Sequence, residues 1–313
     1  MKASESGLWS NARQLVAELR SYRWNSGAYV STEAPILLGG CGRSGTTLLR
    51  VILDSHSQVC CGPESELFAA TTRLNPGSAG AQRLSRKFDI PEERLDALIR
   101  ESSSRAELID RFFGVYRAQS GKQIWADKTP RNIQVLPFIL EHFPRARIVH
   151  VIRDGRDVAC SLRTHPRHRV VDGKLVKLDT WNPIEDCIAR WVNDVQDGLR
   201  LRGDPRYHEL RYEDVILATE PTLRKLLTFL ELPWEPAVMS FHEVQSASRD
   251  PLKFAQNPEA TKPLQSSSIG HWQRNLSSDD LEIVMRAAGP LLRELGYPDD
   301  RQDAAGADQQ PMA

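Results

Sequence analysis

A glycine-rich segment, GGCGRSGTT at residues 39–47, constrains the fold of this chain more than any other feature. A short apolar run at 35–38 precedes it, and a stretch of almost wholly apolar helical pattern at 46–53 follows it. An apolar run, a glycine turn and a buried helix in this order predict a strand–turn–helix unit, the opening of an α/β fold.

The glycine-rich segment also has the chemistry of an anion site. Glycines let backbone amides approach an anion, and the N-terminus of the next helix adds free N–H groups. Arg43 adds charge, and Thr46 and Thr47 add hydroxyl donors. The spacing of Gly40 and Gly45 matches a Walker A loop, but Thr46 stands where that loop needs lysine. The pattern predicts a site for one phosphate; the alternative is a glycine turn that only packs helix on strand.

A second motif, RDGRDVACS at 153–161, follows a β-branched run at 147–152 and predicts a second strand–turn–helix unit, parallel to the first. Arg153 then lies at the carboxyl end of a strand, where α/β sheets bind ligands. Arg153 and Ser161 together suit a second phosphate, because a guanidinium binds phosphate oxygens as a fork. A structural Arg–Asp pair is the alternative.

The rest of the chain shows no repeat and no dividing linker. We expect an N-terminal helical extension over 1–30, one domain over 31–298 and a disordered polar tail over 299–313. Within the domain, 164–183 is interpreted as a long loop and a candidate lid. Further elements are predicted as helices in 64–120, 132–142, 184–201, 220–230 and 277–295, and as strands at 123–125 and 206–210.

Composition excludes some classes of protein. The 313 residues carry 41 basic and 41 acidic side chains, a balance that argues against a nucleic-acid or membrane-surface binder. No window of the sequence is apolar enough for a membrane span, and the N-terminus lacks the apolar core of a signal peptide. The five cysteines, an odd number, indicate free thiols. We expect a cytoplasmic protein, and the sequence leaves open whether it forms a homodimer.

Three motifs, GRSGTT at 42–47, DKTP at 127–130 and RDGRDVACS at 153–161, resemble in this order the sulfotransferases that use 3′-phosphoadenosine 5′-phosphosulfate (PAPS). The nearest branch is that of the tyrosylprotein sulfotransferases, and the resemblance covers about 35–297. It implies a P-loop-like three-layer α/β fold with a central parallel sheet flanked by helices. It also implies an enzyme that moves a sulfuryl group from PAPS to an acceptor hydroxyl without a metal.

The resemblance assigns roles to individual residues. The catalytic base would be Glu64, and Lys128 and Arg43 would neutralise charge on the leaving group. The residues implied to bind the nucleotide are Arg43, Ser44, Gly45, Thr46 and Thr47 at the 5′-phosphosulfate, Arg153 and Ser161 at the 3′-phosphate, and Tyr212.

The assignment of Glu64 as the base has two alternatives. Glu64 could instead be the first-turn carboxylate of a helix beginning near Ser65. Because other sulfotransferase branches use histidine as base, His56, His165 and His168 are reserve candidates.

Three positions depart from the tyrosylprotein branch. Glu66 replaces a basic residue that recognises acidic peptide, His271 replaces a nucleotide-binding lysine, and Cys61 meets Ala126 where its disulfide partner would be. The expected acceptor is therefore a hydroxyl of a small molecule, lipid, sugar or peptide rather than an acidic protein.

Two other classes of function stay open from the residues alone. A P-loop kinase or NTPase with a degenerate loop would need a magnesium-binding carboxylate, for which Asp154 is the candidate. A nucleotide-binding module without catalysis would need only the two anion sites.

Overall fold

The computed structural model describes residues 24–25, 27–69, 74–165, 167–171, 174–178, 180–243 and 264–298, with the backbone alone for the two strands between 167 and 178. Residues 1–23 of the predicted N-terminal helical extension and the tail predicted to be disordered over 299–313 lie outside the described residues.

A five-stranded parallel sheet forms the centre of the molecule. Its strands are β1 (Ile36–Gly39), β2 (Val59–Cys61), β3 (Ile124–Lys128), β4 (Arg147–Ile152) and β7 (Tyr207–Arg211). They lie side by side in the order β2-β3-β1-β4-β7. β1 pairs with β3 on one side and with β4 on the other. The strand order therefore reverses at β1: the next strands along the chain, β2 and β3, lie on one side of it, and the later strands β4 and β7 lie on the other. A ligand crevice is expected at the carboxyl ends of the strands at such a reversal point. The strands are numbered in chain order, and β5 (Arg167–Val171) and β6 (Lys174–Leu178) form a separate two-stranded sheet.

Helices cover the sheet and connect its strands. Before β4 these are α1 (Thr46–Asp54), α2 (Ala79–Phe88), α3 (Glu92–Glu101), α4 (Arg105–Ser120) and α5 (Leu136–His142). After β4 they are α6 (Gly155–Arg163), α7 (Ile184–Leu199), α8 (Tyr212–Leu217), α9 (Thr219–Phe229), α10 (Trp272–Asn275) and α11 (Ser278–Glu294).

Alternate strand residues pack into separate cores on the two faces of the sheet. Leu37, Trp125 and Ile148 belong to a core with α2 to α5, where Trp125 stacks on Phe113 with ring centroids 4.5 Å apart. Leu38 belongs, with its neighbours of the same face, to a core with α1 and α9. A third core joins α6, α7 and α11 beside β4. The sheet is thus buried on both faces, and the predicted three-layer α/β fold is confirmed.

Most predicted elements are present with ends shifted by up to three residues, but four differences are larger. The helical region predicted over 64–120 begins only at Ala79 among the described residues. The short strand β2 was not predicted. The helix expected over 132–142 is a 3-10 turn, Pro130–Gln134, followed by α5.

The segment 164–183 is not wholly irregular. It contains an antiparallel hairpin of β5 (Arg167–Val171) and β6 (Lys174–Leu178), in which Arg167 pairs with Leu178. Within the described residues, no helix is long and apolar enough to cross a membrane.

Candidate active site

The glycine loop turns tightly at the carboxyl end of β1, and two of its glycines are required by close approach. Gly40 has φ 148°, and a Cβ there would lie 2.4 Å from the carbonyl oxygen of Val151 on β4. Gly45 has φ 91°, and its Cβ would lie 2.3 Å from the Tyr212 ring. Helix α1 begins directly after Gly45, at Thr46. The loop thus presents the N-terminus of a helix at the crevice, as expected for an anion site.

Arginines from the two motifs meet beside this loop. Arg43 Nε donates to Ser161 Oγ at 2.9 Å, although the two residues are 118 positions apart. Arg153 Nη1 donates to the carbonyl of Arg43 at 3.1 Å, and the Arg153 guanidinium lies 4.6 Å from the centroid of the Tyr212 ring. Burial, and then the positive charge of Arg153, lower the pKa of Arg43. Arg153 is buried and Arg43 is half-buried, and two guanidinium groups with unfavourable mutual charge favour the binding of an anion.

A cavity of about 450 Å³ opens at this edge of the sheet. Its wall brings together most of the predicted site residues: Arg43, Gly45, Thr46, Thr47, Glu64, Arg153, Ser161 and Tyr212. Ser44 is fully buried and is not part of the wall. Lys128 also lies behind the wall, where it contacts two of the lining residues.

Glu64, which lines the cavity, forms an ion pair with Lys128 behind the cavity wall. Lys128 Nζ donates to Glu64 Oε1 at 2.5 Å and to Thr47 Oγ1 at 3.2 Å. The Lys128 side chain is 4% exposed and that of Glu64 is 32% exposed. Burial lowers the pKa of Lys128, and the neighbouring Glu64 carboxylate opposes that shift. This lysine therefore links the glycine loop to the proposed base.

The helix that would have made Glu64 a first-turn carboxylate is not formed in the described residues 65–69, where the chain makes a turn instead. Glu64 is held by its backbone, because Lys87 Nζ at the end of α2 donates to its carbonyl at 3.0 Å. The side chain is left facing Lys128 and the cavity.

The histidines proposed as reserve bases lie in different places. His165 lines the cavity. His56 is fully buried and its Nε2 lies 3.0 Å from the carbonyl of Pro233, outside the cavity wall. His168 lies in β5, where only the backbone is described. Of the two histidines whose side chains are described, His165 lines the cavity and His56 does not.

Asp154, the candidate magnesium ligand of a kinase, is engaged elsewhere. Its carboxylate pairs with Arg156 at 2.7 Å and also accepts from the backbone N–H of that residue, which caps α6. Cys61 lies opposite Ala126 in the register of β2 and β3 and is a buried free thiol, as the sequence predicted.

Comparison with known proteins adds to this geometry. The sequence model of the sulfotransferase family matches residues 35–236, which is more than half of the chain. The chain belongs to the sulfotransferase family. Its members are enzymes, and the matched region contains the glycine loop, Glu64, Lys128 and the second arginine motif.

Sulfotransferases of animals are among its relatives. The protein-tyrosine sulfotransferase A of Caenorhabditis elegans is 27% identical over 288 residues, which are 90% of this chain and 71% of the relative. The protein-tyrosine sulfotransferase of Drosophila melanogaster is 25% identical over 278 residues, or 85% of this chain. The chain spans only 52% of the length of the Drosophila relative.

Solved sulfotransferases share the fold. The sulfotransferase domain of the Synechococcus PCC 7002 olefin synthase superposes with a TM-score of 0.58 at 20% identity, over 84% of this chain and 97% of that domain. The mouse sulfotransferase SULT7A1 in complex with PAP gives a TM-score of 0.52 at 13% identity, over 87% of this chain and 94% of the mouse chain.

The sequence resemblance placed His271 at the nucleotide, but sequence reasoning missed the residues before it that also line the cavity of this sulfotransferase, which are Leu264, Gln265, Ser267 and Ser268. This segment is attached to α6 by Asp157, whose carboxylate accepts from the backbone N–H groups of Gly270 at 2.8 Å and Trp272 at 2.9 Å. Arg153 Nη2 also donates to the carbonyl of Ser268.

Asp157 should make stability depend on pH. Burial and the nearby Asp154 raise its pKa to about 6, against about 3.9 in an unfolded chain. The folded chain therefore holds the proton of Asp157 more tightly than the unfolded chain does. The free energy of unfolding that this contributes is present at low pH and is lost as the pH rises through about 6. The measurement is the difference in melting temperature between the wild type and Asp157→Asn at two pH values. We expect this difference, wild type minus variant, to be roughly 3 °C larger at about pH 5 than at about pH 8, which corresponds to about 1 kcal/mol of stability. An equal difference at both pH values would contradict the assignment.

Proposed function

We propose that the protein transfers a sulfuryl group from PAPS to an acceptor hydroxyl, in line, with Glu64 as the general base. The observation that supports this most is the meeting of two anion-binding groups at one edge of the sheet. The glycine loop and the start of α1 form the first group, and Arg153 with Ser161 forms the second. PAPS carries two separate phosphate groups, and this arrangement offers one site to each.

The residues present fit this nucleotide. Thr46, Thr47 and the amides at the start of α1 suit the 5′-phosphosulfate. Arg153 and Ser161 suit the 3′-phosphate, and Arg43, which donates to Ser161, joins the two sites. Arg153 Nε is buried and has no hydrogen-bond partner among the described residues. Because a buried N–H group without a partner is costly, a phosphate oxygen at this point would stabilise the site.

The chemistry follows from the positions of Glu64 and Lys128. The carboxylate of Glu64 faces the cavity and can accept the proton of an acceptor hydroxyl. Lys128 donates to Thr47 of the glycine loop, so its ammonium would neutralise the negative charge that grows on the leaving phosphate oxygen of a nucleotide bound at this loop. Sulfuryl transfer needs alignment and charge neutralisation, and protein cations can supply both.

The acceptor is proposed only as a class. Relatives are named protein-tyrosine sulfotransferases, but Glu66 and His271 depart from the pattern of that branch. We therefore propose a hydroxyl of a small molecule, lipid, sugar or peptide. Location in the cytoplasm stays a prediction from the sequence.

A label-transfer assay tests the reaction. The protein is incubated with PAPS carrying radioactive sulfur and a panel of phenols, alcohols, sugars and tyrosine peptides, in EDTA. We expect label in at least one acceptor and an equal amount of PAP, which is 3′-phosphoadenosine 5′-phosphate. A parallel reaction contains magnesium and ATP with a radioactive γ-phosphate in place of PAPS and EDTA. Transfer of label to an acceptor only in that reaction would contradict the proposal and favour a kinase. Binding of PAP without transfer to any acceptor would favour a non-catalytic nucleotide-binding module.

A further inference from the structure

An arginine outside every recognised motif lies at the glycine loop. Arg190, on α7, lines the same cavity as Arg43 and Glu64. We propose that its guanidinium binds the transferring sulfuryl group and stabilises it in the transition state. This inference rests on the proposed function and adds a catalytic residue to it.

The position of the guanidinium is set by the loop itself. A Cβ built on Gly42 would lie 3.2 Å from Arg190 Nη2 and 3.8 Å from its Cζ. The charged group therefore packs against the glycine loop without an intervening side chain. The Arg190 side chain is 50% exposed, so its donors remain accessible from the cavity. Residue 42 being glycine lets the arginine approach this closely.

The other two arginines of the described cavity wall, Arg43 of the glycine loop and Arg153, have hydrogen bonds within the site. Arg43 is hydrogen-bonded to Ser161, and Arg153 is hydrogen-bonded to the carbonyls of Arg43 and Ser268. Lys128 lies behind the wall, between Thr47 and Glu64. Arg190 is thus a further arginine of the described cavity wall, placed at the loop and apart from the hydrogen bonds that Arg43 and Arg153 make at the 3′-phosphate site.

The role is electrostatic and leaves the reaction balanced. The bond between sulfur and the leaving phosphate oxygen breaks, a bond between sulfur and the acceptor oxygen forms, and the acceptor proton goes to Glu64. Arg190 stays protonated throughout and donates to sulfuryl oxygens. A guanidinium aimed at a transferring group has this effect in phosphoryl transfer, where it is supplied in cis by some GTPases.

A structural role is the competing explanation, because Arg190 Nε lies 3.5 Å from Asp194 Oδ2. The Asp194 side chain is 6% exposed and also accepts from Gln134 Nε2 at 2.6 Å. Loss of Arg190 alone would leave this carboxylate with less compensation. A test must therefore separate catalysis from the pairing of Asp194.

The test compares variants of the full chain. Arg190→Met is expected to lower kcat about 100-fold, the usual loss when one donor to a transition-state charge is removed. The rate is measured as sulfate release from PAPS with water as acceptor and as transfer to para-nitrophenol. Binding of PAP, which lacks the sulfuryl group, should be unchanged, and Arg190→Lys should recover part of the rate. The control is Arg200→Met, which removes an arginine that is 78% exposed and paired with Asp197 at the C-terminal end of the same helix. This variant should match the wild type.

The double variant Arg190→Met/Asp194→Asn decides between the two roles. Our inference predicts that it stays as slow as Arg190→Met. Recovery of the wild-type rate would show that Arg190 only compensates Asp194, and a loss confined to the KM for para-nitrophenol would place Arg190 on the acceptor instead. Either result would overturn the inference and leave the proposed function standing. A wild-type protein that binds no PAP would overturn both.

Discussion

Glu64→Gln is expected to lower kcat by about 10²–10⁴-fold, the range usual for the loss of a general base. Glutamine keeps the shape of the side chain and an oxygen for Lys128, but it cannot take a proton at neutral pH. Affinity for PAP should be almost unchanged, because the nucleotide sites are formed by other residues. The rate is measured by label transfer from PAPS, and the affinity by calorimetry.

A matched control for this variant is Glu92→Gln, which removes an exposed carboxylate from the first turn of α3. It should have the activity of the wild type. If Glu64→Gln were as active as the wild type, Glu64 would not be the base. His165, which also lines the cavity, would then be the next residue to replace.

Arg153→Ala is expected to weaken PAP binding about 30-fold or more, since a hydrogen bond to a charged group contributes about 1.5–3 kcal/mol and this guanidinium can make two. Binding of adenosine 5′-phosphate, which has no 3′-phosphate, should change little. The two dissociation constants are measured by calorimetry on the same preparation. An equal loss for both ligands would contradict the assignment of Arg153 to the 3′-phosphate.

Arg153 also supports its surroundings, through the carbonyls of Arg43 and Ser268. Ser161→Ala therefore provides an independent check. It removes one hydroxyl from the same site and should cause a smaller loss, again confined to PAP. A melting curve of each variant separates a local change in affinity from a loss of folded protein.

The sequence predicted the centre of the fold because local signals agreed there. At 35–47 an apolar run is followed by glycines and then by a helix, and at 147–163 a β-branched run is followed by a polar turn and a helix. In each unit the hydrophobic pattern, the turn residues and the position of the charged groups all predict the same strand–turn–helix structure. The two arginine motifs could therefore be placed at one sheet edge before any contact was known.

The missed strand and hairpin have different causes. Strand β2 has only three residues, Val59–Cys61, too few for a periodic pattern. The hairpin of β5 and β6 had a usable signal, because Asp-Gly at 172–173 is typical of two-residue hairpin turns between strands. The histidines, prolines and glycine around it favoured the loop interpretation instead.

The parts of the site that could not be predicted depend on tertiary packing. Arg190 lies in the middle of an amphipathic helix, where an arginine is usually a solvated surface residue, and only the packing of α7 against the loop brings it to Gly42. The pairing of Glu64 with Lys128 joins residues 64 positions apart. The residues at 264–268, before His271, carry no motif, and the place of this segment at the cavity follows from the hydrogen bond of Gly270 to Asp157 of α6.

The central claim is that this edge of the sheet binds a nucleotide with separate 3′- and 5′-anions. Calorimetric titration with PAP in EDTA, compared with ATP and magnesium, tests it most directly. We expect tight binding of PAP without metal and a clear preference over ATP. Absence of PAP binding, or a preference for magnesium-ATP, would contradict the claim and make a P-loop kinase the better explanation of this site.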